Sequence, residues 1–248
     1  VMPLHRLSLA LTAALLVAAP AIGQYHANDV TPPATSAAKL NGASSGKQVG
    51  GGNNNHAYLI SNNALSAVDL HPAAGFYSSM AVATDGMQQC GFGGSSLGGI
   101  HALKWAGSAA SAVDLHPSGF NFSYCVGADN GQQVGFAEQQ SYFVTTSHAL
   151  LWNGSSAATD LHPGGLFTFS RAMGIKGGEQ VGYGSTLAYP YGDALGYHTT
   201  SKALRWSGSA ASAVLLINGG ARDITPFIKD DVARFTVDGS GNPAAISP

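Results

Sequence analysis

Charge is what this chain has least of: 10% of its 248 residues are Asp, Glu, Lys or Arg, and the formal net charge is −2. With 11 basic residues and no basic run, it has no field to neutralise a phosphate backbone or hold an anionic membrane, so nucleic acid is not expected as a partner. Long apolar runs are missing too, except near the N-terminus. There, His5 and Arg6 precede Leu7–Ala19, an apolar run of 13 residues broken by Ser8 and Thr12, and Ala21-Ile22-Gly23 follow as small residues. A helix needs roughly 20 apolar residues to span a bilayer, so 1–23 reads as an export signal cleaved before Gln24. The mature chain, 24–248, is then expected to be secreted, extracellular or periplasmic, without a membrane span, and monomeric.

Carboxylates are few. Of 13 acidic residues, five fall in a repeated motif and three (Asp85, Asp129, Asp238) in hairpin turns, which leaves Glu138, Glu179, Asp193, Asp230 and Asp231 for chemistry. That inventory weighs against a hydrolase built on two carboxylates. Nothing resembles a nucleophile elbow, a phosphate loop or a zincin helix. The two cysteines, Cys90 and Cys125, replace small apolar residues of the repeat: Cys90 stands with Val49, Val134 and Val181, and Cys125 with Ala81. Buried free thiols are the simpler reading, and a disulfide is the alternative that an oxidising compartment allows.

What the chain does have is glycine and repetition. Asp-Leu-His-Pro occurs at Asp69–Pro72, Asp114–Pro117 and Asp160–Pro163, at intervals of 45 and 46 residues. A period of that size suits one four-stranded propeller blade. Each copy carries four β-like segments. The first is Ser/Ala-rich and ends in Asp85-Gly86, Asp129-Asn130-Gly131 or Gly177-Gly178, residues that supply the positive φ of tight hairpins. The second is Gln-Val-Gly-aromatic, as in Gln133-Val134-Gly135-Phe136. The third is His-Ala-Leu-x-Trp, as in His101–Trp105 and His148–Trp152, with Lys202 replacing His in the fourth copy. The fourth ends in the Asp motif, where Pro removes a donor and stops the ladder. Asp29-Val30-Thr31-Pro32 and Asp223-Ile224-Thr225-Pro226 match the fourth segment alone.

These patterns predict an all-β chain, a propeller of about five four-stranded blades, with four blades as the alternative and a β-trefoil as a poorer fit. Repeats lie near 37–72, 79–117, 123–163 and 170–226, and a composite closing blade is expected from 24–33 and 232–246, which removes exposed sheet edges. The order of Gln-Val-Gly-aromatic, His-Ala-Leu-x-Trp and Asp-Leu resembles the bacterial extracellular HAF repeat over roughly Lys47 to Trp206. The chain departs from the His-Ala-Phe triplet at Tyr58, Leu103, Leu150 and Lys202. The resemblance implies secretion and a propeller-like fold, and it carries over no catalytic residue.

His71, His116 and His162 invite a metal reading, but Thr31 and Thr225 hold the same place in the outer copies. The Asp and the His or Thr therefore read as a structural motif (Asp69, His71, Asp114, His116, Asp160, His162) bonded to backbone before Pro, with no metal and no cofactor. His56, His101 and His148 are expected to bond to the motif Asp, and Trp105, Trp152 and Trp206 to pack between blades. The candidate ligand-binding residues lie where copies differ. After the Gly of the second segment, 5 residues intervene in the first copy, then 9, then 12 (136–147) and 19 (183–201). The last loop holds Tyr189, Tyr191, Asp193, Tyr197 and His198, flat surfaces with polar tips that suit a glycan or a protein. The function so read is an exported, non-enzymatic binding or structural module. The alternatives are a polysaccharide-acting enzyme using Asp193, His198 and Glu138, and a purely structural envelope component.

Overall fold

The structure is a computed structural model that describes residues 29–140, 145–165, 167–188, 198–217, 220–223, 236–237 and 243–244. It is all-β. No helix among these residues is long and apolar enough to cross a membrane. Each repeat is an antiparallel meander of four strands. The first comprises β1 (Ala38–Ser44), β2 (Lys47–Gly52), β3 (Ala57–Ser61) and β4 (Val68–Asp69); the second, β5 (Phe76–Thr84), β6 (Gln89–Ser95), β7 (Ile100–Trp105) and β8 (Val113–Asp114). The third comprises β9 (Phe122–Asp129), β10 (Gln132–Gln140), β11 (Thr145–Trp152) and β12 (Ala158–Asp160); the fourth, β13 (Phe169–Lys176), β14 (Glu179–Ala188), β15 (His198–Trp206) and β16 (Val214–Ile217). A further strand, β17 (Gly220–Asp223), pairs with β16, and β18 (Thr236–Val237) pairs with β19 (Pro243–Ala244).

Repeats join through short parallel bridges. β7 meets β9 at Ile100 and Phe122, and β11 meets β13 at Ser147 and Phe169, so the second to fourth repeats share one hydrogen-bonded sheet while the first forms its own. The hydrophobic clusters lie between repeats. Trp105 packs with Val49, Leu59 and Leu70 of the repeat before it, and Trp206 with Val134, Leu151 and Leu161. Trp152 packs with Cys90, Ala102 and Leu115 in the same way. All three indoles are fully buried, which places them in the core and out of reach of any ligand.

The Gln-Val-Gly motif has a geometric reason at each letter. The Gln side chains of Gln133 and Gln180 accept the amide protons of Gly154 and Gly208 at 2.9 and 2.8 Å. Their Nε2 atoms donate to the carbonyls of Gly131 and Gly178 at 2.7 and 2.6 Å. Each Gln thereby ties the turn before the second strand to the turn after the third. Val points into the inter-repeat cluster at Val49 and Val134. The Gly faces a bulge: each first strand carries an extra residue near it (Asn41, Val82, Val126, Met173), and the strand then presses a carbonyl against its neighbour. A Cβ on Gly135 would lie 1.8 Å from the Tyr124 carbonyl oxygen, and one on Gly91 1.9 Å from that of Met80. Three of the four first hairpins turn on two residues of positive φ, Ser45-Gly46, Asn130-Gly131 and Gly177-Gly178.

The fourth repeat ends differently from the sequence reading. Val214 and Leu215 pair with Arg205 and Leu204, the places that Val113 and Asp114 take opposite Lys104 and Leu103 in the second repeat. Leu215 thus stands where the motif Asp was expected, and Asp223 lies one strand further out, opposite Val214. The reason is the missing Pro stop. Val-Leu-Leu-Ile runs on into a hairpin with β17, whereas Pro72, Pro117 and Pro163 end the fourth strands of the other repeats.

The bulge geometry makes a direct prediction. Gly135→Ala must move a strand backbone to relieve the contact with Tyr124, so it is expected to cost about 3 kcal/mol or more of stability. A urea midpoint within error of the parent's would refute the assignment.

Candidate functional site

The chemistry-bearing residues of the motif come together at every joint between repeats, and always in one arrangement. At the second joint, His101 Nδ1 bonds to Asp114 Oδ2 at 2.7 Å, and Asp114 Oδ1 accepts the His116 backbone N–H at 2.8 Å. The His116 ring stacks on His101 with centroids 3.9 Å apart, and its Nδ1 lies 2.8 Å from Ser123 Oγ on the next repeat's first strand. Ser123 Oγ also accepts the backbone N–H of Ala102 at 2.8 Å. The same set recurs as His56, Asp69, His71, Ser79 and Ala57, with imidazole to carboxylate at 2.6 Å and ring stacking at 4.0 Å. It recurs again as His148, Asp160, His162, Ser170 and Ala149, at 2.7 and 4.2 Å. Asp29 repeats one part of it, accepting the Thr31 N–H at 2.8 Å, which holds its carboxyl below the usual range.

Local sequence builds this arrangement. Leu70, Leu115 and Leu161 are buried, so the residues on either side of each Leu are turned toward solvent and the neighbouring repeat. Asp then closes an Asx turn on the amide two residues later. In the neutral tautomer, His116 Nε2 donates to the Phe120 carbonyl at 3.2 Å and His162 Nε2 to that of Phe167 at 3.1 Å. The Nδ1 atoms are left as acceptors for the serine hydroxyls.

Ser, His and Asp meet here, yet the set is no nucleophilic triad. Ser123 and Ser170 are fully buried, and their oxygens are already occupied by backbone amides. The Asp touches a different imidazole from the one that touches Ser. Among the described residues no group of three or more His, Cys, Asp or Glu is placed to hold a metal.

Burial holds the rings of His71, His116 and His162 below the ordinary imidazole range, and their stacked partners His56, His101 and His148 add to the effect. The motif carboxylates and the Phe carbonyls work in the opposite direction and do not overcome it. At Asp160, burial tends to raise the carboxyl, and bonds from His148 and the His162 amide outweigh it, so the net shift is down.

Symmetry between repeats breaks in two places. The first is the fourth repeat, where Lys202, Leu215 and Ile217 replace His, Asp and His together, and Lys202 makes no ion pair among the described residues. The second is the set of hairpins between second and third strands. Their strands grow from 6 and 5 residues in the first repeat to 7 and 6, then 9 and 8, then 10 and 9 in the fourth. Segments 136–147 and 183–201, expected as loops, are thus largely strand: Phe136–Gln140 pairs with Thr145–Ala149, and Tyr183–Ala188 with His198–Ala203. Tyr189, Tyr191, Asp193 and Tyr197 lie outside the described residues. His198 opens β15 opposite Ala188, and its side chain is outside them as well.

At the base of the β10–β11 hairpin sits a cluster that sequence reasoning missed. Arg171 occupies the first-strand place held elsewhere by Lys39, Met80 and Tyr124. Its guanidinium lies 4.1 Å from the Phe136 ring centroid and 4.6 Å from that of Phe169. It is ion-paired to Glu138 of the preceding repeat, and its Nε reaches Ser147 Oγ at 3.4 Å. Tyr124 stacks on Phe136 at 4.9 Å, and Phe92 meets Tyr124 edge-on at 5.2 Å. The signal in the sequence was a basic residue on a first strand, shared with Lys39 of the first repeat, where the second and third copies carry Met80 and Tyr124. Glu138, considered above as an acid or base, is held in this ion pair. Other acidic side chains are engaged too: Asp85 by the Met87 and Gln88 amides, Asp129 by Lys176 and Glu179 by Arg205.

No protein-family model matches the chain, and no curated protein matches it.

Two outcomes follow from the joint. Ser123→Ala leaves the Ala102 amide and the His116 ring nitrogen buried without a partner, so stability is expected to fall by roughly 2–3 kcal/mol, whereas Asp114→Ala, whose carboxylate faces water, should cost less. Denaturant midpoints decide the order. The depressed histidines also set a pH dependence. The unfolded chain takes up protons near pH 6.5 (an approximate reference value) before the folded chain does, so stability is fully present above that pH and declines as pH falls through it. His116→Gln should reduce that slope, and a flat midpoint from neutral to mildly acidic pH would contradict the shift.

Proposed function

We propose that this chain is an exported, non-enzymatic β-propeller of the HAF-repeat kind that binds a glycan or a protein through the face bearing the β10–β11 and β14–β15 hairpins. The observation that carries the reading is the contrast between joint and hairpin. The joint is copied three times with bond lengths that agree within 0.1 Å for imidazole to carboxylate, while the hairpins lengthen from one repeat to the next. Residues that only hold the scaffold have reason to repeat, and recognition has reason not to. The Arg171 cluster supports the same face. A guanidinium held between two rings is a rigid plane with polar edges, set beside the exposed stem of β10–β11, and such surfaces suit hydroxyl-rich or mixed ligands.

Two observations favour a ring over an open stack. Successive repeats keep one polarity and pack face to face, as blades do. The fourth repeat also leaves uncovered what the others cover: Val181 is 46% exposed, whereas Val49 and Val134 at the same place are fully buried. A composite blade from 24–33 and 232–246 would cover that face.

The reading is tested by cutting the β14–β15 hairpin back to the length of β2–β3, and separately by replacing Tyr189, Tyr191 and Tyr197 with Ala. Glycan-array and extracellular-protein binding should disappear in both variants while the melting temperature holds. Loss of the melting transition in both would make the hairpin structural. New reducing ends or unsaturated products from a polysaccharide panel would replace the binding reading with an enzymatic one.

A further inference from the structure

The three joints between repeats carry one equivalent pair of positions in their apolar clusters. The second-strand residue comes from one repeat, and the first-strand residue two places after the joint serine comes from the next. At the first joint the pair is Val49 and Ala81; at the third it is Val134 and Ala172. At the middle joint both members change at once, to Cys90 and Cys125, and these are the chain's only two cysteines. Two independent drifts toward a small buried residue would have no reason to meet across one interface. A covalent bond between the two positions would give them that reason.

We propose that Cys90 and Cys125 form a disulfide that ties the second repeat to the third. Both residues are fully buried in one cluster, and strands β6 and β9, which bear them, pack against each other. As free thiols they interact, and burial together with the neighbouring Cys90 pushes the Cys125 thiol well above the ordinary range. A thiol so placed reacts poorly once the chain has folded, so the bond forms while the joint is still open. The step is thiol–disulfide exchange. The thiolate of one cysteine attacks a small-molecule or protein disulfide and expels a thiolate. The second cysteine then attacks the mixed disulfide, which leaves one S–S bond in the chain and a reduced dithiol in the oxidant.

The bond would span the joint held by Ser123 and His116, so the covalent link and the hydrogen-bonded link restrain the same pair of repeats. It closes a chain segment between residues 90 and 125, and loops of that size, cross-linked, raise the melting temperature of a domain this large by on the order of 10 °C.

The experiment refolds the full chain in a glutathione disulfide and glutathione buffer, and in parallel under reducing conditions. Each sample is then alkylated in denaturant and weighed intact. The proposal expects no alkylation and a mass lower by two hydrogens in the oxidised monomer, double alkylation in the reduced one, and a higher melting temperature for the oxidised form. The double variant Cys90→Val with Cys125→Ala, which restores the pair used at the other two joints, should fold and show no response to reductant. Two alkylatable thiols in the oxidised monomer, or a bridge formed only between molecules, would overturn the proposal. An oxidised monomer less stable than the reduced one would overturn it too, since the bond would then strain the joint.

Discussion

A serine hydroxyl buried between two repeats is the contact on which the rest of the architecture depends. Ser79, Ser123 and Ser170 each satisfy a backbone amide on the third strand of one repeat from the first strand of the next, and each meets the imidazole that follows the motif Leu. A buried amide left unpaired costs about as much as a hydrogen bond is worth, so the hydroxyl must sit where it does or the joint must open. Everything else in the motif serves that position. Asp shapes the turn that brings the second histidine round, the first histidine packs flat against it, and Pro stops the strand so that the turn can form.

The dependence explains why the motif disappears as a unit. In the fourth repeat Lys202, Leu215 and Ile217 replace both histidines and the carboxylate, and β16 gains a new partner in β17. A single loss would leave a half-buried imidazole or carboxylate without its counter-group. Losing all three leaves no polar group without its partner, and β16 pairs with β15 and β17.

Much of the scaffold was legible in the sequence because its constraints are local. The two-residue hairpins announce themselves through Asn130-Gly131 and Gly177-Gly178, and the period of the Asp motif gives the four-stranded unit. The His–Asp pairing was legible as well, because His101 and Asp114 fall on adjacent strands of one meander. What was not legible depends on distant chain. The Gly of Gln-Val-Gly reads as a turn or a tight fit, and only the bulge in the preceding strand shows what it must avoid. Arg171 and Glu138 are 33 residues apart and belong to different repeats, so no spacing rule joins them. The long hairpins were read as loops because Thr145, Thr146, Thr199 and Thr200 lie in polar strands with no alternation of apolar residues. Asp223 was misplaced because Asp-x-Thr-Pro matched the motif's letters, while the apolar run Val-Leu-Leu that takes the fourth-strand register has no acid in it.

Scaffold and variable parts are separable for a physical reason. A hairpin that lengthens outward from β10–β11 to β14–β15 adds cross-strand pairs among its own residues. Such growth carries little energetic penalty for the core, because each added pair satisfies its own backbone groups. The first strands have no such freedom. Each is pressed from one side by the bulge carbonyl against Gly and from the other by the neighbouring repeat, so a new side chain there must find a partner across the joint. Arg171 meets that condition by reaching Glu138 and two aromatic rings, and this is why charge enters the interior of the stack at that site together with its counter-charge. Hairpin length and sequence can therefore change while the joints stay as they are.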